Sequence, residues 1–109
     1  MAEPTLQQLF GAGAAQTDAA LTISKVDLAG AGLEPTADNT AESLLVAILL
    51  IARTRLTEAN QQSNPEQNIT VTDSFESLVP RNGKQYRQTT LSLNLQREDT
   101  GAAINPMDY

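Results

Sequence analysis

Ala41-Glu42-Ser43-Leu44-Leu45-Val46-Ala47-Ile48-Leu49-Leu50-Ile51-Ala52-Arg53 carries the strongest structural signal in the chain. At about 100° per residue, Ala41, Leu45, Leu49, Ala52, Leu56 and Ala59 line up as one stripe of a helix. Leu44, Val46, Ile48, Leu50 and Ile51 cover the remaining sides of its first turns. A helix that is apolar all round must be covered all round. From Arg53 onward the pattern becomes ordinarily amphipathic. Asn39-x-x-Glu42 fits a capping box with Asn at the cap, and Asp38 and Glu42 suit the positive end of the dipole. The pattern predicts a helix from about 39 to 60, ended by Asn64-Pro65.

Upstream, Leu21-Thr22-Ile23-Ser24-Lys25-Val26 alternates apolar and polar residues, which predicts a strand. A loop rich in Gly, Ala and Asp, with Pro35 inside it, fills 27–38. Downstream, Asn68-Ile69-Thr70-Val71-Thr72 opens a second strand. Pro80-Arg81-Asn82-Gly83 is a turn, and Lys84 to Gln96 is a long third strand. The turn has two readings. A two-residue Asn82-Gly83 loop pairs Phe75 with Thr90 and Val71 with Asn94, which sets Ile69 and Val71 opposite in face to Leu91, Leu93 and Leu95. A three-residue loop with Gly83 in a bulge pairs Val71 with Leu93 and Ile69 with Leu95. The second register gathers the apolar residues on one face and is the expected one. Asp73 to Leu78 also suits a helical turn before a shorter hairpin.

The order is therefore β-α-β-β. The expected fold is α+β: a small three-stranded, mostly antiparallel sheet with one central apolar helix. An extended N-terminal arm over 1–20 and a C-terminal tail over 100–109 flank a compact domain over 21–99. In the arm, Gly11-Ala12-Gly13-Ala14-Ala15 is too featureless to offset its ordering entropy. Ahead of it, Thr5 suits a cap, and Leu6, Leu9 and Phe10 sit at helical spacing, as an anchor or a frayed end. The tail sets Ile104, Pro106, Met107 and Tyr109 on a polar segment.

The chain has 109 residues and a net charge of −6, with no Cys, His or Trp. This rules out disulfides, thiolate metal sites and any triad that needs His or Cys. Nine residues, Leu44 to Ala52, make the longest apolar run, and a bilayer span needs about 20. Met1-Ala2-Glu3-Pro4 lacks the basic start of a secretory signal. No membrane partner is expected. Residues 1–50 hold six acids against Lys25 alone, which argues against a nucleic-acid partner. Arg81, Lys84 and Arg87 cluster at the hairpin, as a solvated tip or as a basic spot for an acidic protein surface.

No phosphate loop, dinucleotide fingerprint or calcium-loop spacing is present. Ser24 and Lys25 point to opposite faces of a strand and make no dyad. Asp73 with Glu76, or Glu98 with Asp99, are paired acids of the kind usually just solvated. The chain is expected to be no enzyme and to hold no cofactor or metal. A compact part this small buries only roughly 60–65% of its unfolded surface. Each buried Leu or Ile contributes about 1.5–3 kcal/mol. Three strands cover one side of the helix, so the other needs a homodimer or a lid made by the arm or the 27–38 loop. Leu44, Ile48 and Ile51 are then core or dimer contacts.

Leu21-Thr22-Ile23-Ser24-Lys25-Val26-Asp27-Leu28, then Asp38 to Leu50, the Asn-Gly hairpin and the closing Ile104-Asn105-Pro106-Met107-Asp108-Tyr109 together resemble small virion proteins of tailed phages that infect cyanobacteria. Within that group the pattern is most similar to capsid cement, or decoration, proteins. The resemblance spans 21–109 and carries over no single functional residue. It implies a non-enzymatic clamp on the outer surface of the phage capsid. Such a clamp binds the major capsid protein and bridges capsomers, as a dimer at a two-fold position. Shell contacts would then be Leu6, Leu9, Phe10, Ile104, Met107 and Tyr109, with Arg81, Lys84 and Arg87 as rim charges. The alternatives are a head-to-tail adaptor or tail-terminator ring component, and a non-viral cytoplasmic dimeric binding module.

Overall fold

The computed structural model describes residues 4–99, 101 and 103–109. Glu3 and the rest of the first three residues of the arm, and Thr100 and Ala102 of the tail, lie outside the described residues. The elements run α1 (Leu6–Phe10), β1 (Ala15–Gln16), β2 (Leu21–Thr22), a 3-10 helix (Lys25–Ala31), α2 (Ala41–Arg53), α3 (Glu58–Ser63), β3 (Ile69–Arg81), β4 (Lys84–Leu95) and a short 3-10 turn (Pro106–Asp108). The class is α+β. The sheet is not the expected three-stranded one: β1 pairs only with β2, and β3 only with β4, both antiparallel.

The reason lies at the edge a third strand would need. The Val71 amide of β3 donates to the Leu56 carbonyl at 2.7 Å, so the base of that edge is closed by the α2–α3 connection. The alternating segment 21–26 keeps only two residues of strand, and these pair with β1. From Lys25 it winds into the 3-10 helix, which ends at Gly32 in the left-handed region and drops Leu28 into the core.

The central helix is shorter than expected. Thr40, not Asn39, caps α2: its hydroxyl accepts from the Ser43 amide at 3.1 Å. Asn39 instead ties the preceding loop, accepting from the Thr36 amide and donating to the Glu34 carbonyl. The helix stops at Arg53, where the Thr54 hydroxyl donates to the Ile51 carbonyl at 2.7 Å, a side-chain bond that competes with the helical ladder. The chain turns Leu56 inward, and Thr57 caps α3.

The arm is not extended. Thr5 and Gln8 close a reciprocal capping box on α1, and α1 packs against α2. Beyond it the Gly13 amide donates to Asp27 Oδ2 at 2.6 Å. Gly11, at φ 108°, lies so close to Asp27 that a Cβ there would overlap the Asp27 side chain. Close approaches of Gly11 and Gly13 to Asp27 thus fasten the Gly/Ala-rich segment to the 3-10 helix.

The hairpin combines the two registers. Asn82 (φ 53°) and Gly83 (φ 72°) form a two-residue loop, both left-handed, as a type I′ turn requires. This corrects the expected three-residue loop. Near the tip the pairs are Arg81 with Lys84, Val79 with Tyr86 and Phe75 with Thr90. A bulge at Ser74 then shifts the register, and the base pairs Asp73 with Leu91, Val71 with Leu93 and Ile69 with Leu95. The bulge resolves the conflict that the three-residue loop was invoked to avoid. Asp73 to Leu78 is strand, not a helical turn.

The core is thin. Its buried apolar residues, among those described, are Ala14, Leu28, Leu33, Ala47, Leu56 and Val71. Leu44, Ile48 and Ile51 pack against the Leu28–Leu33–Ala47 cluster from α2. Gln67, buried, bridges the α3 and β3 regions by donating to the carbonyls of Thr57 and Ile69. The outline is long, with extents of 47 × 32 × 26 Å and a radius of gyration of 16.2 Å. A compact chain of this length has about 13 Å.

Candidate functional site

The hairpin beyond Ser74 forms a finger that stands out from the helical body. Cross-strand partners share a face, so Phe75, Val79, Arg81, Lys84, Tyr86 and Thr90 lie on one side, and Glu76, Leu78, Pro80, Arg87 and Thr89 on the other. Both faces are mixed. Phe75 is 60% exposed on the first and Leu78 is 59% exposed on the second. At the tip the Arg81 guanidinium stacks on the Tyr86 ring, 4.1 Å from its centroid. This stack draws Arg81 back along the strand, beside Lys84, and makes the tip a fixed positive spot.

The three predicted basic residues therefore divide. Arg81 and Lys84 are brought together on one face. Arg87 lies on the other, held to Glu76 at 2.9 Å. The Thr89 hydroxyl donates to the same carboxylate at 3.4 Å. Asp73 is held by Arg53 at 2.7 Å, which fastens the end of α2 to the hairpin beside the bulge. Asp73 and Glu76 are thus partners of arginines and form no shared carboxylate site. Glu98 and Asp99 are exposed, and Asp99 accepts from the Gly101 amide at 2.9 Å.

The apolar contact candidates also divide. Leu6, Leu9 and Phe10 are half-buried in α1. Ile104 and Met107 stand free at 73% and 87% exposure. Tyr109 is half-buried and lines one hollow with Pro4, Leu9, Leu56 and Ile69. The tail is tied down beside them by Arg97, which bonds Asp108 at 3.0 Å and the Ala103 carbonyl at 3.3 Å. Leu9 of α1 and Tyr109 of the tail thus line the same hollow, with Ile104 and Met107 exposed.

Sequence reasoning passed over Leu45 and Val46 of α2, and Phe75 and Leu78 of the finger, as exposed contact residues. The all-apolar helix signalled the first pair without saying which side stays uncovered. The second pair follows only once the bulge is known. Among the described residues no group of His, Cys, Asp and Glu is placed to hold a metal ion. Among them, too, no helix is long and apolar enough to cross a membrane. The arrangement offers exposed apolar residues, paired charges and a projecting hairpin. No protein-family model, curated protein or solved structure matches the chain.

Proposed function

We propose that this chain is a structural virion protein: a capsid cement, or decoration, protein of a tailed phage. It binds the major capsid protein on the outer surface of the shell, bridges neighbouring capsomers and acts as a homodimer. The observation that carries the reading is the mismatch between surface and core. The accessible surface is 7965 Å², whereas a compact monomer of 11.7 kDa exposes about 5,900 Å². A chain with so much outer surface around so few buried residues fits a part whose stability is completed by what it lies on. A clamp of this kind needs area and several separate contacts rather than a catalytic group. The outward Ile104 and Met107 supply apolar contacts toward the shell, and the finger and the exposed α2 stripe supply surface toward a second copy.

One feature favours a second reading, a ring component of the neck or tail. A projecting finger seated on the next subunit is a head-to-tail contact, and such contacts close into rings. Copy number in purified particles separates the two. Cement predicts on the order of hundreds of chains per particle, and a ring about six or twelve. Shells stripped of the protein provide the direct test. Added wild-type protein should rebind them to saturation, and Ile104→Asp/Met107→Asp should rebind at least about tenfold more weakly. Absence from purified particles would overturn the virion assignment.

A further inference from the structure

Two surfaces of this molecule are built alike and charged oppositely. The first is the finger face that carries Phe75, Val79 and Tyr86 with Arg81 and Lys84. Residues 77–95 hold three bases and no acid. Of these, Arg87 is engaged by Glu76, while among the described residues neither Arg81 nor Lys84 has an ion-pair partner. The second surface is the outer stripe of α2. Glu42, Leu45 and Val46 are spaced i, i+3, i+4 and so lie on one side of the helix. Leu45 is 56% exposed and Val46 53%. Glu34 and Asp38 stand exposed in the loop that leads into the helix, and among the described residues Glu34, Asp38 and Glu42 have no ion-pair partner. Outside residues 77–95 the chain carries a net charge of −9.

We propose that a second copy of this chain covers both surfaces. The two protomers are related by a two-fold axis, and the finger of each lies along the acidic α2 stripe of the other. Charge complementarity selects this occupant, since basic side chains on one surface meet acidic ones on the other while the apolar residues of both are desolvated. The lengths agree. From Phe75 to the tip the finger runs about 25 Å, and the thirteen residues of α2 run about 20 Å. The area agrees as well. The surface in excess of a compact monomer is about 2,100 Å² per chain. Two contacts of standard size take about 800 Å² each from every partner. A reciprocal pair makes two such contacts and closes at two copies.

This inference deepens the homodimer of the proposed function and rests on self-association, not on the shell, so it is read on the purified full chain alone. Light scattering over a concentration series should give a mass twice 11.7 kDa with no further growth. The dissociation constant should rise at least about tenfold between roughly 50 and 500 mM salt. Arg81→Glu/Lys84→Glu should weaken dimerisation at least about tenfold, and Glu34→Lys/Glu42→Lys by a similar factor. Mixing the two variants should restore a dimer, because both of its contacts are then complementary again. Circular dichroism on each variant alone reports its fold. A monomer at millimolar concentration, a mass that keeps growing, a dimer indifferent to Arg81→Glu/Lys84→Glu, or folded variants that fail to rescue each other would overturn the arrangement. Shell copy number is a separate readout, so either conclusion can fail without the other.

Discussion

Leu28→Ala is the sharpest probe of where this fold is held. Leu28 is 2% exposed and joins Leu33 and Ala47, with Ile23, Ala31, Leu44, Ile48 and Ile51 packed around them. The substitution removes three carbons at about 0.8 kcal/mol each. A cavity term is added because the helix and the 3-10 segment cannot fully collapse, which brings the loss to about 3 kcal/mol. A chain of this length has a total stability of roughly 5–15 kcal/mol, and so thin a core sets it at the low end. The melting temperature should fall by about 12–24 °C. Val26→Ala is the internal control. Val26 sits two residues away on the same 3-10 helix but is 73% exposed, and it should cost under about 0.5 kcal/mol. Urea titration at fixed protein concentration measures both. A Leu28→Ala loss below about 1 kcal/mol would refute the claim that the core is centred on this residue.

Other predictions test the hairpin and its seat. Deleting Ser74 should leave every cross-strand pair in place and change stability by less than about 1 kcal/mol; loss of the Val71–Leu93 proximity in NMR spectra would refute that view of the bulge. Gly83→Ala puts a Cβ at φ 72° and should cost about 1–2 kcal/mol by urea titration. Gln67→Ala leaves the Thr57 and Ile69 carbonyls without their buried donor. It should cost about 2–3 kcal/mol and speed amide exchange at Ile69 and Val71.

The elements with strong local chemistry were legible in the sequence. The Asn82-Gly83 pair marks a hairpin because few other residues accept two left-handed positions in succession. Thr5, with Leu6, Leu9 and Phe10 after it, marks α1, and the apolar run 44–52 marks α2. What the sequence withheld depends on contacts between distant residues. Whether 21–26 extends as strand turns on its partners: it finds only Ala15–Gln16 and winds into the 3-10 helix from Lys25. The break after Arg53 turns on Thr54 preferring the Ile51 carbonyl, a choice that a helical pattern does not display. The sequence offers the register as one choice for the whole hairpin, whereas the extra residue at Ser74 permits a different answer at each end. Arg87 is close to Arg81 and Lys84 in sequence, yet the alternation of the pleat sends it to the other face and to Glu76.

The bulge also uncouples the reach of the finger from its foundation. Below Ser74 the pairs from Ile69–Leu95 to Asp73–Leu91 seat the hairpin on α2 and α3. Above it, among the described residues, no hydrogen bond or ion pair joins the ladder to the body. Lengthening each strand by two residues keeps every side chain on its own side and moves the tip outward by about 7 Å. Shortening each by two draws it in by the same step. The hairpin is therefore a spacer whose reach changes in steps of two residues on one unaltered base.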